Sequence, residues 1–372
     1  MKTKPNIQVR YSYLDRQFTD IEPILDDIRR LVKSGDFTLG APVAEFEGRF
    51  ARLIGTEFAV GVGSGTDALL LSLKALGVRP GDEVITCANT FVATAGAIAA
   101  AGARVVFVDC DDKFVIDPDL VERAITPRTK ALLPVHWGGQ PADMDRVLAI
   151  AARHKLPVLE DACQSIGAAS GGRQCGSWGA AAGFSLHPLK NLNVWGDGGL
   201  ITTDSRELRD QLMLLRNHGM STRDEYACYA HNSRLDSLQA VVGLHLIKDF
   251  EWITKTRIAN AAKLDAALSQ LSPRVTLPRR DPKERHVYHL YQFLAADRDR
   301  LCAHLQARGV EAKIHYPVPL HLQSASRGLG YKAGDFPKAE AQAKATITLP
   351  VHQHLTGEEL EYMIRCVKEF YC

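Results

Sequence analysis

No apolar run in the 372 residues reaches the ~18 needed to cross a bilayer. The longest small-apolar stretch, Val92 to Ala103, reads as a buried helix. The start, Met1-Lys2-Thr3-Lys4-Pro5, leads into polar sequence without the apolar core of a secretory signal, so a cytoplasmic setting is expected. None of the eight cysteines pairs with another across two residues, which removes the zinc-ribbon and dithiol motifs. They read as scattered, reduced and mostly buried thiols. No His-x-x-x-His pair, Gly-x-x-x-x-Gly-Lys-Ser/Thr loop, Gly-x-Gly-x-x-Gly turn or Gly-x-Ser-x-Gly elbow occurs. A zinc site, a P-loop, a dinucleotide fingerprint and a serine hydrolase are thereby disfavoured. Acids and bases are interspersed and nearly balanced, at a formal net charge of +2. Neither a nucleic-acid partner nor an anionic membrane is expected.

What is present is an alternation of strand and helix signals. Helical spacing over Ile21–Val32 and Pro42–Ile54 forms a lead-in. Strand patterns at Phe58–Val62, Glu83–Thr86, Arg104–Val108, Ala131–Val135 and Pro157–Asp161 then alternate with helices at Thr66–Leu76, Val92–Ala101, Leu120–Ala124 and Asp145–His154. Val/Ile-rich strands in such units predict an α/β fold with a mostly parallel sheet covered on both faces. After Leu208 the pattern changes. Ser237–Leu268 reads as long helix or two helices, Val287–Leu294 and Glu311–Ile314 as strands, and Asp297–Arg308 and Glu358–Phe370 as helices. The expectation is a large unit over 1–245 and a smaller α+β unit over 246–372.

Lys190 follows a short apolar strand, in Gly183-Phe184-Ser185-Leu186-His187-Pro188-Leu189-Lys190. Alone it is an ordinary surface lysine. Its company changes that, because Asp161 ends another strand and α/β sheets bind ligands outside the carboxyl ends of their strands. A strand-end aspartate followed by a strand-end lysine suits pyridoxal 5'-phosphate. The lysine forms a Schiff base, and the aspartate keeps the pyridine nitrogen protonated. Gln164 can hydrogen-bond the ring's phenolic oxygen. Gly63-Ser64-Gly65-Thr66-Asp67, between a strand and a helix start, offers backbone N–H groups to a phosphate, and Ser185 can add a hydroxyl. Phe91, at another strand-to-helix junction, can stack on a ring. Taken singly, Asp161 is equally a helix cap, Gln164 a solvated polar residue, the Gly-Ser-Gly a plain turn and Phe91 core packing.

With these residues in view, the chain resembles the DegT/DnrJ/EryC1/StrS family of sugar aminotransferases, of fold type I, from about Gly35 to the C-terminal helix. The motifs carrying the resemblance are Gly63-Ser64-Gly65-Thr66-Asp67-Ala68-Leu69, Pro80-Gly81-Asp82-Glu83-Val84-Ile85 and Thr90-Phe91-Val92-Ala93-Thr94. They continue with Pro134-Val135-His136, Glu160-Asp161-Ala162-Cys163-Gln164, the Phe184–Lys190 segment, Asn232-Ser233-Arg234-Leu235-Asp236 and His315-Tyr316-Pro317-Val318-Pro319-Leu320-His321. The resemblance implies that Lys190 is the Schiff-base lysine and proton shuttle, with Asp161 at the pyridine nitrogen and Gln164 at the phenolic oxygen. Gly65, Thr66 and Ser185 would hold the phosphate, and Phe91 would stack on the ring. Asn232 would reach the phosphate of a neighbouring subunit, giving a homodimer with shared sites. Tyr316 and His321 would touch the sugar.

The implied reaction moves an amino group from glutamate or glutamine to a keto sugar, usually nucleotide-linked. Gly196-Asp197-Gly198-Gly199 is similar to the form common among enzymes of 3-keto sugars. Trp195 and Leu189 depart from the family's usual tyrosine and small or hydroxyl residue. The rivals are a 4-keto sugar or cyclitol aminotransferase, a sugar dehydratase, and a regulatory protein that only senses the cofactor. A lysine rather than a histidine at position 190 favours transamination over dehydration.

Overall fold

Short Val/Ile-rich and Ala/Gly-rich segments build a seven-stranded sheet. The computed structural model describes residues 8–371; Met1–Pro5 and Cys372 lie outside the described residues. The strands are β1 (Phe58–Val62), β2 (Glu83–Cys87), β3 (Arg104–Val108), β4 (Thr129–Leu133), β5 (Leu159–Asp161), β6 (Ala181–Ser185) and β7 (Gly199–Thr203). Strand β2 lies between β3 and β4, parallel to both. Parallel bridges Leu132–Val158 and Val135–Asp161 join β4 to β5. Strand β5 pairs with β6 in parallel, whereas β7 runs antiparallel to both β6 and β1. The spatial order is therefore β3-β2-β4-β5-β6-β7-β1. The parallel sheet expected from the alternation forms, with β7 the one reversed strand.

Helices cover both faces because the strands are apolar on both sides; β2, β6 and β7 are buried at every position. The helix Gly65–Ala75 begins where Ser64 accepts a hydrogen bond from the amide of Asp67, a side-chain N-cap. Ser237–Leu268 resolves into two helices, Ser237–Leu246 and Phe250–Leu268, with a 3₁₀ turn between them.

A second apolar core gathers the C-terminal residues. It holds the three-stranded antiparallel sheet of β8 (Val275–Thr276), β9 (Tyr291–Ala295) and β10 (Thr346–Leu349), packed against the helices Phe250–Leu268, Arg298–Ala307 and Gly357–Tyr371. Two sequence expectations fail here. Glu311–Ile314 makes no continuous strand, because Val310 bridges Val9 while Lys313 bridges Thr348, so its ends serve different partners. The strand expected over Val287–Leu294 begins only at Tyr291. The amides of Val287 and Leu290 instead donate to the carbonyls of Gly139 and Gly138. Val9, in the lead-in, is fully buried in this C-terminal core, and Arg16 pairs with Glu359 at 2.6 Å. Among the described residues no helix is long and apolar enough to cross a membrane.

Candidate active site

The carboxyl ends of β5 and β6 and the turn after β1 open on one cavity of about 290 Å³, near the lower end of the range usual for small-molecule sites, about 300–1,000 Å³. Lys190, Asp161, Gln164, Ser185, Gly65, Thr66, Phe91 and Tyr316 all line it. Eight of the ten positions singled out from sequence therefore meet in one place.

Lys190 sits in a tight turn clamped through its backbone. Its amide donates to His187 O, and its carbonyl accepts from the Tyr13 hydroxyl at 3.1 Å and from Asn193 Nδ2 at 3.0 Å. Burial pushes the Lys190 ammonium below the ordinary lysine value, against the opposing pull of Cys163 and Asp161. A desolvated lysine of this kind loses its proton more readily and can act as a nucleophile or proton carrier. Asp161 is buried at the end of β5. Its Oδ2 accepts from Thr94 Oγ1 at 2.7 Å, and its Oδ1 from the Cys163 amide at 3.2 Å. Thr94 shares a further hydrogen bond with Thr90 at 2.8 Å. The Cys163 thiol, packed near the carbonyls of Gly65 and Gly183, is pushed up by burial and stays protonated.

Gln164 Oε1 accepts from the Gly138 amide at 2.7 Å, which fixes the side chain and leaves its NH₂ as the donor end. At Gly65 a Cβ would stand 2.7 Å from Ser185 Cβ and 3.0 Å from Cys163 Sγ. Helix start and strand end thus approach closer than any other residue would permit. Phe91 caps the opposite rim, 45% exposed, with its ring 5.9 Å from that of Tyr316. Tyr316 packs edge-on to Trp137, and burial raises its phenol to about 12.

Two predicted positions are not brought to this cavity. His321 is buried, 2% exposed, with Nε2 3.1 Å from Glu340 Oε1 and its ring edge-on to Phe336. Its side chain is committed to the packing behind the Tyr316 loop. Asn232 is exposed and bridges Asn217. Residues that sequence reasoning left without a role do reach the cavity: Tyr11, His187, His289, His315, Asp197 and the Thr90–Thr94 pair. His187, His315, Asp197 and the two threonines lie inside the motifs read from the sequence, but only the packing of distant segments shows that they reach the cavity; nothing local marks Tyr11 or His289.

A sequence profile of the DegT/DnrJ/EryC1/StrS aminotransferase family matches residues 19–368. The chain belongs to that family. Among curated proteins, one similar to it is the "Pleiotropic regulatory protein" of Geobacillus stearothermophilus, 41% identical over 96% of this chain and 97% of that one. Another is the dTDP-3-amino-3,4,6-trideoxy-alpha-D-glucose transaminase of Streptomyces venezuelae, 40% identical over 95% of each. Among solved structures, S. venezuelae DesV in complex with a ketimine intermediate superposes with a TM-score of 0.95 at 40% identity, covering 98% of both chains. The fold is accordingly fold type I, and the protein is a pyridoxal-phosphate-dependent aminotransferase. Solved neighbours are described in both PLP and PMP forms.

The residues present suit this cofactor. A desolvated amine, a buried carboxylate and a fixed amide donor line one cavity, and a helix N-terminus with an adjacent hydroxyl is open to a phosphate. When bound, the cofactor supplies the electron sink through which an amino group is stored and passed on.

Proposed function

We propose that this aminotransferase takes its amino group from glutamate or glutamine and delivers it to a nucleotide-linked 3-keto sugar. The observation that carries the reading is the buried Lys190 amine, with its depressed pKa, in one cavity with the buried Asp161 carboxylate. Lys190 Nζ holds the cofactor at rest and moves the proton during each half of the reaction. Asp161, held by Thr94 and the Cys163 amide, pairs with the pyridine nitrogen. The free NH₂ of Gln164 donates to the phenolic oxygen. The Gly65 and Thr66 amides and the Ser185 hydroxyl bind the phosphate, and Phe91 covers the ring. Tyr316 faces the sugar. His321 acts behind it, by packing. The 3-keto assignment is supported by Gly196-Asp197-Gly198-Gly199, whose Asp197 lines the cavity, and by the 3-amino sugar in the name of the S. venezuelae relative.

Asn232 is assigned to the phosphate of a second copy, making a homodimer with shared sites; its exposure leaves it free to do so. The seven free cysteines among the described residues support a reducing, cytoplasmic setting. The division into units at residues 245/246 belongs to the same reading.

The test is the visible absorbance of the purified protein. Glutamate should bleach it, and one member of a panel of 3-keto and 4-keto nucleotide sugars should restore it. Lys190→Ala should abolish turnover while still binding pyridoxamine phosphate. Retained turnover in that variant, or restoration by 4-keto sugars alone, would overturn the assignment or the carbon. A product that has lost water without gaining an amine would mean dehydration.

A further inference from the structure

Three arginines are buried among the described residues: Arg216, Arg257 and Arg298. Two of them are neutralised, Arg216 by Glu47 and Arg298 by Asp299 at 2.6 Å. Arg257, only 2% exposed, has no carboxylate partner among the described residues, whereas Arg216 and Arg298 each have one. Its Nε donates to Gln353 Oε1 at 3.0 Å, its Nη1 donates to the Tyr288 carbonyl at 3.1 Å, and its guanidinium lies 5.2 Å over the Tyr13 ring. Nη2 is buried with no hydrogen-bond partner. A buried cation without a counter-charge is costly, and retaining one points to an anion that completes it.

Arg257 walls a small recess together with Tyr11, Tyr13, Leu189, His289 and His352. Tyr11, Leu189 and His289 also wall the main cavity, so the two spaces adjoin. No acidic residue lines the recess, and His289 Nδ1 is a second buried nitrogen without a partner on the shared wall. The recess has room of about 10 Å³, close to the least that admits one water-sized group. That suits one oxygen of an anion whose body occupies the main cavity. The phosphate-binding elements, Gly65, Thr66 and Ser185, line the main cavity and not the recess.

We propose that Arg257 and the recess it walls bind a carboxylate of the acidic amino donor. This rests on the donor assignment above. The same chemistry would also suit the diphosphate of the sugar nucleotide, so the test separates the two.

The probes are glutarate, which carries both carboxylates of glutamate but no amine, and a nucleoside diphosphate. Each is titrated calorimetrically into the holoenzyme. Losing a hydrogen bond between charged groups is expected to weaken glutarate roughly tenfold to a hundredfold in Arg257→Gln, with the diphosphate unchanged. Arg257→Lys should recover part of the loss. Val351→Leu, at a residue that lines the recess but not the main cavity, adds a methylene there and leaves the guanidinium alone; it should show the same selective loss and stands in if Arg257→Gln does not fold. Unchanged glutarate binding in these variants, or weakening of the diphosphate instead of or equally with glutarate, would overturn the proposal. So would failure of glutarate to bind the wild-type protein. Glutarate that binds through Arg257 in an enzyme whose colour responds to neither glutamate nor glutamine would instead overturn the donor assignment.

Discussion

At Asp161 the two carboxylate oxygens have different partners, and each can be tested separately. Thr94 Oγ1 supplies the hydrogen bond at 2.7 Å to Oδ2. Thr94→Val keeps the shape and removes the donor. One hydrogen bond to a charged group is worth about 1.5–3 kcal/mol, so turnover should fall about tenfold or more with cofactor saturating, read as kcat. Asp161→Ala removes the charge itself and should cost more than Thr94→Val in the same assay; an equal loss would mean the threonine acts elsewhere. Asp161, Gln164 and Lys190 were legible in the sequence because each lies at or just beyond the end of a recognisable strand. Thr94 was not, since its role depends on how the helix Val92–Ala100 packs over the neighbouring strands, which brings its hydroxyl to the carboxylate. His321 shows the opposite failure. Its motif places it near Tyr316 along the chain, yet its ring turns away to Glu340 and Phe336.

Among the elements, the contact that shapes the proposed phosphate end is that of β6 and β7 against the start of the helix Gly65–Ala75. A Cβ at Gly199 would overlap the Ser64 carbonyl, a backbone atom that cannot swing aside. Gly199→Ala should therefore destabilise the protein by about 1–3 kcal/mol, the usual cost of overpacking. It should also weaken cofactor retention, because the same shift displaces the Gly65 and Thr66 amides. Denaturant midpoints and cofactor titration check the two effects, and normal values for both would show that the strand can move freely. The element pattern was legible over β1–β5, where strand and helix alternate regularly. It was less so beyond residue 285. There the segment before Tyr291 spends its backbone hydrogen bonds on the Gly138–Gly139 turn, and no periodicity in the sequence announces such a partner.

For the whole molecule, the second core ties Val9 and Arg16 to the C-terminal third of the chain and surrounds several histidines with basic neighbours. Burial, reinforced by Lys190 and Lys313, pushes His315 down to about 4. Burial together with Arg257 does the same to His352. Between the ordinary value of 6.5 and about 4 the unfolded chain binds protons that the folded protein refuses. Stability therefore rises with pH across that window and is lost as pH falls through it. Each group contributes at most on the order of 3 kcal/mol. Urea midpoints at about pH 7 and about pH 5 should differ accordingly, and replacing both histidines by glutamine should reduce the slope, the rest coming from His286 and His289, which burial also holds well below the ordinary value. A slope undiminished by both replacements would place the titrating groups elsewhere.

The α/β alternation, the family and eight positions that meet in one cavity could be read from the chain alone, because strand periodicity and strand-end placement are local properties that a chain states directly. Which side chains stand behind those positions follows from the packing of the folded chain. Thr94 supports Asp161, His321 is withdrawn into packing, and Arg257 is left buried beside the cavity without a counter-charge. Those outcomes depend on which distant segments pack together and on the direction each side chain then takes. No spacing along the chain encodes either.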